Sequence, residues 1–560
     1  MDNKADRRKK SVQPSPETTS EQPSGESTRA KSGPPKLARR EVILTLAGLM
    51  LAQFLASLDQ TIVGTALPKI ITDLGGFSKY TWVVTAYMIT STVTIPIVAK
   101  LSDMYGRKWF LVGGIIIFLI GSAICGTSQT MDQLIAYRAV QGIGGGAIMA
   151  LAFTILGDLF PPSERGKYAG IMSGVFGLSA IVGPMLGGYI TDHFSWHNFY
   201  WRGVFYVNIP IGIIIILLII FFFPHLKFST RKHKIDFLGI ISLALTVVPL
   251  LMALSLGGVN YAWTSPQIIG LFEFSAVMLF VLLNIEKHVK EPIIPLWIFK
   301  DRVVSVASLA IFLTGFGMFA GIVFVPLFFQ GILGKSATSS GSYLTPLMLG
   351  MITGSLLSGQ YLSRMGGHYR TQGLVGCAIM AGGIFLLSRM TAYTPESAAV
   401  VNLIIAGVGL GVTMPVYTIA VQNAVPYSVM GIATSTTAFF RSIGGVLGMA
   451  VVGSVLNNRF AAEFSSNLSP QLKAAIPADQ LNQLVNNPQA LFSSGALGKL
   501  QEQFASFGSQ GTAMLNSLLT TLKNALCSGL SEGFLICFCV VVVAFLVNLF
   551  LKEIPLRTHH

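Results

Sequence analysis

The chain has 560 residues, of which 52% are hydrophobic and only 11% charged, and its mean hydropathy is +0.65. Soluble domains carry about 25% charged residues, so this composition excludes a water-soluble enzyme or binding module. The net charge of +14 does not point to nucleic acid either, because ten of the Lys and Arg precede Glu41 in a Ser/Pro/Glu-rich segment too poor in apolar residues to fold.

Residues 1–40 read as a disordered basic cytoplasmic tail. No apolar run adjoins its charges, so it is not a signal peptide, and its charge suits anionic lipid headgroups. Fourteen apolar segments follow, starting near Leu44, Tyr80, Trp109, Gln133, Lys167, Tyr200, Phe237, Ile268, Val303, Gly341, Thr371, Ala399, Met430 and Gly533. A bilayer core of about 30 Å takes about 20 apolar residues in helix. Lipid leaves only helices and closed barrels able to satisfy their backbone, and runs this long are helical. The expected fold is an all-α integral membrane protein with fourteen transmembrane helices.

Lys and Arg collect in alternate loops. Lys100, Arg107 and Lys108, then Arg165 and Lys167, then Lys227, Arg231, Lys232 and Lys234 fall on one side, as do Arg364, Arg370, Lys552 and Arg557. By the positive-inside rule that side, with both termini, is cytoplasmic. The one long connection, 457–530, then lies outside. Its apolar patches (Leu481, Leu484, Val485; Leu515, Leu518, Leu519, Leu522) predict an amphipathic cap resting on the outer face.

The loop Ala99-Lys-Leu-Ser-Asp103-Met-Tyr-Gly106-Arg107-Lys108 has a weaker echo in Gly359-Gln-Tyr-Leu-Ser363-Arg364-Met-Gly366-Gly-His-Tyr-Arg370. Each starts on a small residue, has a Gly seven positions later and ends basic. The chain therefore divides into a tail 1–40, a six-helix half 41–225, two inserted helices with linkers 226–300, and a second six-helix half 301–560 that includes the outer loop. Repeated halves around a midplane site are a transporter architecture.

Asp59, in Leu58-Asp59-Gln60-Thr61-Ile62-Val63-Gly64-Thr65-Ala66-Leu67-Pro68, is an ionisable group inside the first span, where such groups face a pathway or a partner. At about 1.5 Å per residue it lies about 10 Å from the outer end of its helix. Arg138, in the fourth span's Leu134-Ile-Ala-Tyr-Arg138-Ala-Val-Gln141-Gly142, lies at about 8 Å by the same rise. Equal depth makes a pair possible, either tuning a proton site or fixing helix register. Arg441 sits near mid-membrane, facing either substrate or a neighbouring helix's carbonyls or acid. Glu273, near a helix end, reads as snorkelling to water. Met149, Met172 and Tyr417 are candidate cavity residues, with packing as the competing role; Gln141 joins them by position. In the fifth span Gly183, Pro184, Gly187 and Gly188 predict close packing and a hinge. The five cysteines (Cys125, Cys377, Cys527, Cys537, Cys539) read as small apolar residues, not metal ligands.

Together these motifs resemble the major facilitator superfamily, and within it the fourteen-span drug:proton antiporter branch. Ala99–Lys108 is similar to the superfamily's signature loop, the stretch from Arg138 through Gly142 and Ala147 to its fourth-span motif, and Gly183-Pro184…Gly187-Gly188 to the exporter motif. Leu58–Pro68, Trp201-Arg202…Phe205…Asn208-Ile-Pro210 and Gln422…Pro426 with Phe440-Arg441 are similar to motifs of the branch. The resemblance spans about 41–551. Ala99, Met104 and Ser179 depart from it: the first and third keep a small side chain, whereas Met104 removes a charge from the loop. It implies that Asp103, Gly106, Arg107 and Lys108 form a gating loop latching the halves on the cytoplasmic side, and that Asp59 and Arg138 take part in proton coupling.

The expected function is proton-coupled export of amphiphilic drugs or toxic compounds by alternating access, in a multi-pass, monomeric protein of the plasma membrane. The proton gradient supplies the energy, with no cofactor and no metal. Export of a specific metabolite, lipid or siderophore is the alternative, and a non-transporting membrane sensor a more distant one. No His/acid cluster or nucleophile–base pair suggests an enzyme, and no phosphate loop suggests ATP.

Overall fold

A computed structural model describes residues 39–74, 79–193, 201–223, 235–258, 261–333, 343–364, 368–476, 504 and 508–555. Residues 1–38 of the expected tail, Leu481, Leu484, Val485 and the middle of the second repeat loop lie outside the described residues, and the tail's last two residues, Arg39 and Arg40, begin the first helix.

The helices in chain order are α1 (Arg39–Leu74), α2 (Tyr80–Tyr105), α3 (Arg107–Gly126), α4 (Met131–Leu159), α5 (Pro162–His193), the short α6 (Gly203–Tyr206), α7 (Asn208–Phe222), α8 (Phe237–Leu256) and α9 (Pro266–His288). After them come α10 (Arg302–Gly331), α11 (Leu344–Arg364), α12 (Tyr369–Ser388), α13 (Glu396–Ala424), α14 (Met430–Asn467), the short α15 (Pro470–Ala475) and α16 (Gly508–Asn548). Among the described residues, thirteen of these are long and apolar enough to cross a membrane. The expected tenth span is the exception. It forms the 21-residue α11, but its Gly, Ser, Thr and Gln content lowers its hydropathy. Packing explains that composition: Gly354, Ser355, Ser358 and Gly359 are buried against neighbouring helices, so lipid never meets them.

The repeat is visible in how helices pair. α1 packs on α5 and α7, α4 on α2 and α3, and α3 on α7. In the second half α10 packs on α14 and α16, α13 on α11 and α12, and α12 on α16. The same pattern recurs with each helix replaced by its counterpart. The halves meet through α5 with α11 and α2 with α14, again counterparts of one another. At the α5–α11 seam Ser355 Oγ donates to Gly170 O at 2.9 Å, and a Cβ on Gly166 would lie 2.7 Å from Gly359 O. Small residues one turn apart let these backbones touch. The inserted helices α8 and α9 join through Ser275 Oγ donating to Thr246 O, and α8 docks on α2 and α14.

The long loop requires a correction. The last helix does not begin near Gly533 but at Gly508, and α14 continues past residue 457 to Asn467. At 1.5 Å per residue, 38 and 41 residues span about 57 and 62 Å, roughly twice a bilayer core. Leu518 and Leu522 join Phe460 and Phe464 of α14 and Leu468 and Leu472 just after it in a buried apolar cluster that continues into the core of the second half. The two long helices also pack on each other, which gives part of the apolar stripe a helical partner.

Candidate functional site

Asp59 lies on α1 and Arg138 on α4, both buried. Arg138 Nη1 meets Asp59 Oδ2 at 2.5 Å and Gln141 Oε1 at 2.8 Å, and its Nε donates to Val83 O at 3.2 Å. Its guanidinium also lies 4.3 Å from the Tyr87 ring centroid. Asp59 Oδ1 accepts from Gln141 Nε2 at 2.8 Å and from Asn208 Nδ2 at 3.0 Å. Asn208 is held in turn by Ser122 Oγ, also at 3.0 Å. Three helices, α1, α4 and α7, thus bring a carboxylate, a guanidinium and two amides together. A buried ion pair needs such extra hydrogen bonds to offset its desolvation. Gln141 therefore belongs to the charge cluster. Asn208 and Ser122 were not singled out from sequence; Asn208 sits in a quoted motif, but a neutral amide gives no signal of its own.

Glycine makes the approach possible. A Cβ on Gly121 would fall 2.5 Å from Gln141 Cα. Gly183 and Gly187 face α1 at Thr61 and at Thr65 with Ile62, whereas Gly188 contributes its carbonyl to Thr191 Oγ1 at 2.9 Å. α5 runs unbroken through Pro184.

The loop between α2 and α3 forms a second cluster. Gly106 has φ of 107°, a backbone that favours glycine, and this lets α3 start immediately after α2 ends. Arg107 ion-pairs with Asp103, donates Nε to Asp158 Oδ2 at 2.7 Å and Nη1 to Ser102 Oγ at 2.9 Å. Asp103 Oδ2 accepts from the backbone N–H of Ile432 at 3.2 Å, which ties this loop to the start of α14. Lys108 is not in that cluster; its Nζ reaches Ile220 O at 2.8 Å. Asp158, at the last turn of α4, went unremarked in the sequence. An acid at a span's end is usual, and only the fold brings it to Arg107.

The candidate cavity residues separate. Met149 is partly buried and takes a contact from Gln60 Nε2 at 3.6 Å. Met172 and Tyr417 are in a buried cluster, and Tyr417 Oη lies 3.2 Å from Cys377 Sγ. Arg441 and Tyr417 line a small cavity of about 10 Å³ between α10, α13 and α14. Glu273 is exposed on α9.

The family model described as Major Facilitator Superfamily matches residues 49–449. The chain is 38% identical over 531 residues to the "Multidrug transporter protein MdtP" of Bacillus subtilis (strain 168), covering 93% of this chain and 94% of that protein. It is 39% identical over 511 residues to "Multidrug resistance protein 3" of the same organism, covering 91% and 95%. Among solved structures, the proton:xylose symporter XylE bound to a bromodeoxyglucose has a TM-score of 0.56 at 14% identity, over 93% of this chain and 98% of that one, a likeness of fold alone. A family match over most of the chain, relatives aligned from end to end and the paired six-helix halves converge: this membrane-spanning chain belongs to the major facilitator superfamily of transporters.

Proposed function

We propose that the protein is a proton-driven antiporter that exports amphiphilic small molecules by alternating access across the cell membrane, with Asp59 as the coupling group. The observation that carries this reading is the convergence of Arg138, Gln141 and Asn208 on a single buried carboxylate. All three hydrogen bonds run toward Asp59. Protonation removes the charge on which they converge, releases Arg138 and changes the relative stability of the two rocking states. Each inward charge contributes about 2.3 kcal/mol per 100 mV of membrane potential. The names of the two Bacillus relatives support a drug-like cargo.

The basic loops set the side of the membrane in this reading. The face bearing Gly106 is cytoplasmic, both termini lie with it, and the extensions of α14 and α16 project outward. Asp103, Arg107 and Asp158 then close the cytoplasmic face by holding α14, which makes the present arrangement closed to the cytoplasm.

The test uses purified protein in liposomes that carry an internal pH-sensitive dye. An imposed gradient of an amphiphilic cation, anion or neutral dye should move protons in the opposite direction, and Asp59→Asn should abolish that movement while the protein still inserts. Uphill export at full rate by Asp59→Asn would overturn the coupling role.

A further inference from the structure

Arg441 is a fixed cation with no partner among the described residues. Eleven residues along α14 from Met430, it stands about 16 Å into the bundle, near the middle of a bilayer core. Guanidinium does not deprotonate in proteins, so it must find an opposite charge or carry its desolvation cost. Arg441 is partly buried, and among the described residues each fully buried arginine finds company: Arg138 has Asp59, Arg107 has Asp103 and Asp158, and Arg165 caps the carbonyls of Gly157 and Phe160. Among the described residues Arg441 has no hydrogen bond or ion pair, and no carboxylate lines its cavity.

The backbone holds it there. A Cβ on Gly315 would lie 2.6 Å from Arg441 O, and one on Gly448 would lie 2.9 Å from Phe316 C, so α10 and α14 are in direct contact around this residue. The polar lining is already engaged elsewhere. Thr314 Oγ1 donates to Ala310 O, Thr413 Oγ1 to Leu410 O, and Tyr417 Oη contacts Cys377. Met318 and Met414 supply adaptable apolar wall. At about 10 Å³ the cavity has room for about one water, which solvates a cation but does not neutralise it. With Asp59 already neutralised by Arg138, the described residues of the second half's interior leave the Arg441 charge unmatched beside an apolar wall.

We infer that the Arg441 cavity is a subsite for the anionic head of an amphiphile, a single carboxylate, sulfonate or phosphate on a hydrophobic body. The inference deepens the export reading by naming one cargo class, and it rests on that reading only for what happens after binding. Arginine's planar fork matches such oxyanions bidentately, and the methionines accept the tail. A membrane lipid headgroup and a dissolved amphiphile share this chemistry.

The test is a binding measurement without any gradient, so it stands or falls separately from proton-coupled export. The full-length protein in phosphatidylcholine nanodiscs is titrated with 1-anilinonaphthalene-8-sulfonate and with its uncharged parent N-phenyl-1-naphthylamine, read by energy transfer from the protein's tryptophans. Arg441→Gln should weaken the sulfonate about tenfold or more while leaving the neutral probe within about twofold, since only a charged hydrogen bond is lost. Arg441→Lys should fall between the unmodified protein and Arg441→Gln, because it keeps the charge and loses the bidentate fork. Retained neutral binding shows that the variants are folded. Equal losses for both probes, or no loss for either, would overturn the subsite. Adding phosphatidylglycerol separates the sources: competition with the sulfonate in the unmodified protein assigns the site to a lipid headgroup, and its absence assigns it to the dissolved amphiphile.

Discussion

Asp103 and Ile432 are 329 positions apart, yet the carboxylate of one accepts the backbone N–H of the other at 3.2 Å. The first N–H groups of a helix have no partner within it, and an acid placed there also meets the favourable end of the helix dipole. Asp103 therefore acts as a cap supplied by α2 to α14, and Arg107 offsets the charges of Asp103 and Asp158. Gly431 leaves room for this contact: a Cβ would lie 2.7 and 2.8 Å from the two terminal nitrogens of Arg107. Gly431→Ala and Asp103→Asn should both loosen the face that carries Gly106. Nitroxides at Lys167 and Arg364, on α5 and α11 at that face, should show a longer-distance population in each variant. An unchanged distance distribution would remove the contact as a latch.

Gly121 and Gly113 lie on the same helix and predict opposite outcomes. A Cβ on Gly121 would meet the backbone of Gln141, whereas one on Gly113 meets nothing within 4 Å. Gly121→Ala should cost about 1–3 kcal/mol of stability through overpacking and displace the amide that serves Asp59, so thermal stability and transport fall together. Gly113→Ala should leave both unchanged or raise stability slightly through helix propensity. Thermal unfolding in detergent, followed by intrinsic fluorescence, checks the pair.

What the sequence revealed depended on how much each residue departs from its surroundings. A charge inside an apolar run is conspicuous, so Asp59, Arg138 and Arg441 could be picked out, and equal depth was enough to suggest the first two as a pair. Asn208 and Ser122 escaped because neutral polar residues are common in spans and their partners are far away in the chain. Asp158 escaped because an acid at the end of a helix looks like an ordinary rim charge. The extensions of α14 and α16 were misread for a related reason. Their apolar stripe has the period of any amphipathic helix, and nothing local shows that the helix runs on without a break into the span.

Asp73, at the end of α1 and outside the spans, accepts from Trp201 Nε1 at 2.9 Å and from Arg202 Nη1 at 3.0 Å. The Trp201 hydrogen bond, with help from Arg202, holds its carboxyl below the usual value of 3.8. A depressed value means that the contact contributes stability above the unfolded pKa, and that this contribution is lost as pH falls through the folded one. Asp73 therefore stays ionised throughout the range a cellular proton gradient spans and does not sense it. The difference in unfolding temperature between the unmodified protein and Asp73→Asn should be constant from pH 7 to pH 5 and shrink only below about 4. A difference that disappears between pH 7 and pH 5 would contradict this.

The segment 551–555 crosses the ends of two helices. Tyr369 Oη, at the start of α12, donates to Lys552 O at 3.0 Å and accepts from the Ile554 N–H at 2.5 Å. Asn423, at the end of α13, donates Nδ2 to the carbonyls of Ile554 and Pro555 at 3.3 and 3.2 Å. Tyr369 and Asn423 are both buried, so removing either side chain's polar group leaves backbone groups without partners, at about 1–3 kcal/mol for each site. Tyr369→Phe and Asn423→Ala act on the same five residues, and sites that share a partner do not add. Once the first substitution frees the segment, the second has little left to lose. The double variant should therefore be destabilised by clearly less than the sum of the two single losses, measured as a double-mutant cycle of thermal stability. Strict additivity would mean that each side chain holds its own part of the segment, and that the segment is not a single strap.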